Sequence, residues 1–162
     1  MVIGAIFAGG IGSRMGSADM PKQYLQLGSK PIIVHTIEKF VVNPGIDRII
    51  VLCPKAWIAH TKDLVKKYLG EAIAEKINVV EGGSTRNGTL ENALKFINEN
   101  FAIDDDSVIV THDAVRPFVT HRIIDENIEA AKKYGACDTV IPATDTIVRR
   151  EDSENVSSIP TR

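Results

Sequence analysis

The sequence predicts one α/β domain of the doubly wound kind, on a mostly parallel sheet. Three observations carry this. Runs rich in Ile and Val recur at 2–8, 47–53, 77–81, 107–112 and 138–141. They are nearly continuous in apolar residues, as parallel strands covered on both faces are. Segments with helical spacing of apolar residues lie between them. The length, 162 residues, suits one domain and can bury about 70% of the unfolded surface. Residues 1–162 are therefore read as a single domain, with an arm at 143–160.

The first strand runs directly into Ala8-Gly-Gly-Ile-Gly-Ser-Arg-Met15. Glycines after a strand let backbone N–H groups approach phosphate oxygens, because no Cβ blocks them. Arg14 and Lys22 stand beside this loop, and Pro21 stiffens the approach to Lys22. The two cations are either solvated surface charges or partners for the α- and β-phosphate oxygens of a nucleotide. Fixed cations of that kind favour a group whose charge changes during a reaction. A dinucleotide fingerprint is excluded: Gly10-x-Gly12-x-x-x-Gly16 is one residue too long, and the second strand ends in Cys53-Pro54 without a carboxylate. A P-loop is excluded as well, for want of Gly-Lys-Ser/Thr.

Pro31 fits the first position of a helix carrying Ile33, Ile37 and Phe40. Trp57, Thr61, Leu64 and Tyr68 mark the next helix, and Leu90, Ala93, Leu94 and Ile97 the stripe of a third. Thr120 caps a fourth, with Ile124, Ile128 and Ala131, which stops near Gly135. In such a fold ligands bind at the carboxyl ends of the strands. The glycine loop, Gly82-Gly83 and His112-Asp113 all fall there. Beyond Thr144 the pattern changes: Thr144–Arg150 alternates, Glu151–Asn155 is a polar turn, and Val156–Ile159 returns. This predicts a projecting hairpin, which is marginal alone and needs a packing partner, a second subunit being one candidate.

Composition narrows the class. Apolar residues make up 44% and charged residues 25%, a globular balance. The net charge of −2 gives no support for a nucleic-acid partner. No apolar stretch approaches the ~20 residues that span a bilayer, and no basic leader precedes the first strand. A soluble cytoplasmic protein is expected. Cys53 and Cys137 are expected to be buried thiols, and the four histidines show no zinc spacing.

Other candidate residues keep two readings each. Gly82, Gly83, Ser84, Thr85, Arg86, Asn87, Gly88 and Thr89 open a helix, with Ser84 or Thr85 as N-cap; the same residues suit a nucleobase pocket. Asp113 either caps a turn or holds Mg²⁺ against phosphates. His112 reads as structural rather than as a base. Arg116 and Pro117 form a packed loop or part of an anion site. Asp145, Thr146, Arg149 and Arg150 read as a solvated face.

Taken together, A-G-G-x-G-x-R-M at Ala8–Met15, P-K-Q-Y-L at Pro21–Leu25, G-G-x-x-R at Gly82–Arg86 and H-D-x-x-R-P at His112–Pro117 resemble the bacterial CDP-polyol cytidylyltransferases. The resemblance runs the length of the chain. It implies a Rossmann-like nucleotidyltransferase fold and transfer of CMP from CTP to a polyol phosphate with release of pyrophosphate. It implies Arg14 and Lys22 as catalytic, with Ala8, Gly9, Gly10 and Ile11 against the triphosphate. Gly82 to Thr89 would hold cytosine and ribose, Asp113 would bind Mg²⁺, and Ala114 would lie near the nucleotide. Arg116 and Thr146 would meet the polyol phosphate across a homodimer formed by the arm, and Arg162 would orient that phosphate. Family members continue for roughly half a domain more, so the last strands and helices of the family fold are expected to be missing here.

Two branches of the family are close. One acts on D-ribitol 5-phosphate for wall polymers such as teichoic acids. The other acts on 2-C-methyl-D-erythritol 4-phosphate in isoprenoid synthesis. The eight-residue step from Arg14 to Lys22, with Thr111–Phe118 and Asp145–Val148, favours the ribitol branch. An alternative of another class is a nucleotide-binding module that dimerises through its arm without turnover.

Overall fold

The computed structural model describes residues 1–10, 20–146, 148–150 and 156–158. The strands are β1 (Val2–Phe7), β2 (Gln26–Leu27), β3 (Lys30–Pro31), β4 (Arg48–Cys53), β5 (Ile77–Glu81), β6 (Val108–Asp113), β7 (Arg149–Arg150) and β8 (Val156–Ser158). The α-helices are α1 (Ile32–Val41), α2 (Ile58–Leu69), α3 (Glu71–Ala74), α4 (Arg86–Asn100) and α5 (His121–Tyr134). Short 3₁₀ turns occupy Lys22–Tyr24 and Lys55–Trp57.

The main sheet has the order β5-β4-β1-β6, and every pairing in it is parallel. Successive side chains of β1 point to opposite faces. Val2 and Ile6 join one apolar cluster with Ile33, Ile37, Val65, Ile124 and Ile128, from α1, α2 and α5. Ile3 and Ala5 join another with Ala93 and Ile97 of α4. Helices therefore cover both faces, which is why the strands are rich in apolar residues on both.

Strand order reverses at β1, whose neighbours are β4 and β6. Register brings the strand ends level: Phe7 faces Leu52 on one side and Asp113 on the other, and Cys53 faces Glu81. The ladder continues one step beyond. Ala8 donates to Leu52 O at 2.7 Å, Gly82 to Cys53 O at 2.9 Å and Ala114 to Phe7 O at 2.9 Å. The loops after β1, β5 and β6 thus leave from one rim, at the topological switch point.

Several expectations need correction. Residues 138–141 form no strand, and Val140 and Ile141 are 79% and 84% exposed. Apolar content does not make a strand without a ladder partner for its N–H and C=O groups, and β6 is an edge among the described residues. Cys137, in the same stretch, is exposed, whereas Cys53 is buried as expected. Pro31 is the N-cap of α1, not its first residue, because its extended backbone pairs with Gln26. On α4 the buried stripe is Thr89, Ala93 and Ile97; Leu90 and Leu94 are exposed. The Thr85 cap sets the phase of that helix, so positions 89, 93 and 97 meet the sheet. Arg149 stands opposite Ser158 in an antiparallel pair, and Thr144–Thr146 lie outside it; the expected turn Glu151–Asn155 and Ile159 lie outside the described residues. No helix among the described residues is long and apolar enough to cross a membrane.

Candidate active site

A cleft of about 490 Å³ opens at the switch-point rim. Ala8, Gly9 and Gly10 form one wall, Lys22 and Gln23 another, and Gly83, Ser84, Thr85, Arg86 and Thr89 a third. Phe7, Asp113 and Val115 complete it. A larger cavity, about 1090 Å³, runs between β6 and α5 along the unpaired edge and shares Arg86, Asp113 and Val115 with the cleft. The smaller cleft is the one that gathers the glycine loop, the lysine and the helix-opening loop.

Neither Gly9 nor Gly10 has a positive φ. Among the described residues, a Cβ on Gly10 would meet nothing within 4 Å, and one on Gly9 would meet Thr89 Oγ1 alone, at 3.8 Å. Gly83 is the opposite case: a Cβ there would stand 2.3 Å from the Gly88 carbonyl carbon and 2.6 Å from the Thr89 nitrogen. Backbone lies against backbone, which holds the loop shut.

The loop from Gly82 to Thr89 is a helix start in the first instance. Thr85 is the N-cap, its hydroxyl accepting from the Gly88 N–H at 3.0 Å. Thr89, nearly buried, accepts from the Gly83 N–H at 3.1 Å and donates to the Thr85 carbonyl at 2.8 Å. Ser84 is thereby free of capping duty and lines the cleft; Gly82, Asn87 and Gly88 do not line it.

Asp113 ends β6 between two arginines. Arg86 Nη1 donates to Oδ1 at 2.5 Å, and Arg116 Nε to Oδ2 at 2.9 Å. Partial burial pushes the carboxyl up, but the hydrogen bonds and charges of Arg86 and Arg116 outweigh it and hold the group below its ordinary value. The Arg86 guanidinium also lies 5.5 Å from the Phe7 ring centroid. His112 shares a hydrogen bond with the Arg116 carbonyl at 2.9 Å, bracing the turn. Ala114 is wholly buried, its carbonyl accepting from Thr36 Oγ1 at 2.8 Å, and it does not line the cleft. A single carboxylate suits Mg²⁺, which takes its other ligands from phosphates and water. Each carboxylate oxygen accepts one guanidinium hydrogen bond and keeps a further lone pair for a cation.

Ile11, Arg14 and Arg162 lie outside the described residues. Thr146 is exposed and lines neither cavity. Gln23 and Tyr24 carried no assigned role in the sequence, yet both are buried beside Lys22. A glutamine and a tyrosine in a polar connection give no signal of burial until the chain has folded back on itself.

Known proteins match this fold. The family model IspD: 2-C-methyl-D-erythritol 4-phosphate cytidylyltransferase matches residues 2–162. The crystal structure of 4-diphosphocytidyl-2C-methyl-D-erythritol synthase from Anaerococcus prevotii DSM 20548 is 28% identical with a TM-score of 0.74, over 99% of this chain and 63% of that one. A second 4-diphosphocytidyl-2C-methyl-D-erythritol synthase is 24% identical with a TM-score of 0.72, over 99% of this chain and 68% of its own. The bifunctional IspDF from Campylobacter jejuni is 23% identical with a TM-score of 0.61, over 82% of this chain and 31% of its own. The chain therefore spans 63% of the length of the first of these structures.

Proposed function

This chain belongs to the IspD family, and from that membership and the geometry of the cleft we propose that it transfers CMP from CTP to a polyol phosphate with release of pyrophosphate. Gly9 and Gly10, uncrowded among the described residues and lining the same cleft as Lys22, carry the reading. Bare backbone beside a fixed cation suits a triphosphate.

In the reaction an oxygen of the acceptor phosphate attacks the α-phosphorus of CTP. That P–O bond forms as the bond from the α-phosphorus to the bridging oxygen breaks, and pyrophosphate leaves with the electron pair. Negative charge accumulates on the equatorial and leaving oxygens, where Lys22, together with Arg14, would offset it. The Ser84–Arg86 wall would take the nucleoside end. Asp113 would hold Mg²⁺, which supplies charge neutralisation on the phosphates. Arg116 would join Thr146 and Arg162 at the acceptor phosphate, with the β7–β8 hairpin as the contact of a homodimer. Sedimentation tests the last point: a monomer at all concentrations removes the dimer.

The acceptor proposed is 2-C-methyl-D-erythritol 4-phosphate, on the family model and the 28% identical structure. D-ribitol 5-phosphate is the second reading, favoured by the spacing from Arg14 to Lys22. The experiment is pyrophosphate release from CTP and Mg²⁺ with each acceptor. Release with one acceptor assigns the substrate; CTP binding without release from either leaves the non-catalytic module. Lys22→Ala is expected to lower kcat by ~10²–10³ with little change in CTP affinity. Equal losses in both would make Lys22 a binding residue instead.

A further inference from the structure

The geometry points to Gln23, seconded by Tyr24, as a positioning residue that fixes Lys22 relative to the glycine loop; this rests on the transferase reading above. Lys22 opens a three-residue 3₁₀ turn between Pro21 and Leu25. A turn that short has little rigidity of its own. It is held from the side away from solvent. Gln23 is 1% exposed, and its amide nitrogen donates to the carbonyl of Ala8 at 2.5 Å. Ala8 is itself fixed, since its N–H donates to Leu52 O in the sheet. The residue after the lysine is thus hydrogen-bonded to the residue that begins the glycine loop.

Tyr24 supplies the second anchor. It is 2% exposed and stacks on Trp57 with ring centroids 4.5 Å apart and planes at 14°. The edge of His60 meets it at 5.2 Å. Its hydroxyl lies 2.8 Å from Thr61 Oγ1. Thr61 donates to the Trp57 carbonyl at 2.8 Å, which leaves its lone pairs to accept from Tyr24. Backbone bonds from Tyr24 N to Pro21 O and from Ile32 N to Leu25 O close the turn at both ends. The Lys22 backbone is therefore tied to β1 through Gln23 and to α2 through Tyr24. Catalysis by a cation depends on its placement in the transition state, and a displacement of ~1 Å can cost ~10²-fold.

The test is a double-mutant cycle on pyrophosphate release with CTP, Mg²⁺ and each acceptor. Gln23→Met keeps the side-chain length and removes the donor. It is expected to lower kcat ~10–100-fold with KM for CTP within about threefold. In a Lys22→Ala background the same change should cost less than about twofold, because Gln23 acts through the lysine. Tyr24→Phe, which keeps the stack and removes the hydroxyl, should follow the same pattern with a smaller loss, and it carries the test if Gln23→Met does not fold. Equal fold-losses in both backgrounds overturn the positioning role and leave the transferase reading intact. No release from the unaltered chain with either acceptor overturns both.

Discussion

The two banks of the cleft are built on opposite terms. On the Lys22 side, Gln23 and Tyr24 are desolvated and held by neutral hydrogen bonds and ring stacking. Burial pushes the Tyr24 phenol well above its ordinary 10.0, so it stays protonated. On the Asp113 side, a carboxylate with 25% side-chain exposure holds guanidinium groups that are 64% and 72% exposed. Exposed ion pairs contribute ~0–1 kcal/mol each and weaken with salt. One bank is fixed by packing; the other rests on exposed ion pairs that water and salt can compete for. The proposed transfer would draw on both, an aligned lysine and an accessible carboxylate.

The contrast can be broken by substitution. Tyr24→Ala should cost about 3–5 kcal/mol of unfolding free energy, the range for deleting a buried aromatic ring. A loss under about 1 kcal/mol in urea unfolding would show that the Lys22 bank is not locked. Thr61→Val strands the buried Tyr24 hydroxyl and should cost about 1–3 kcal/mol. Asp113→Asn should change stability by no more than about 1 kcal/mol, less in high salt; a larger, salt-independent loss would make that bank structural.

The smallest effect is pH dependence, with opposite signs on the two banks. The folded Asp113 carboxyl sits below its ordinary 3.8. Its contribution is present above the unfolded value and lost as pH falls through the folded one. The folded Tyr24 phenol sits above 10.0, so its contribution is present below that value and lost as pH rises. The acid limb should shrink in Asp113→Asn, Asp104 also being held below its ordinary value, and the alkaline limb should shrink in Tyr24→Phe, the Cys53 thiol also being pushed up, both read from unfolding free energy against pH. A limb of unchanged depth in its variant would reassign it.

Much of the fold was legible because strands covered on both faces are mostly apolar and helices show one apolar stripe. The four sheet strands and the rim at their ends follow from that rule, and the Thr120 cap follows from its hydroxyl, which accepts from the Ile123 N–H. The rule failed where apolar content was not matched by a partner: residues 138–141 read as a strand and lie exposed. It also failed in helical phase, where Leu90 and Leu94 gave way to Thr89.

The sequence by itself determined the class of fold, the glycine loop, the cations and the carboxylate, since each is a matter of residue type and short spacing. It placed them at strand ends, which is where a parallel sheet gathers its loops. Tertiary structure decided what those residues touch. The Gln23 bond to Ala8 spans fifteen residues, the Tyr24 bond to Thr61 thirty-seven, and the Arg86 bond to Asp113 twenty-seven. Contacts at such separations depend on sheet order and register, which local spacing does not encode.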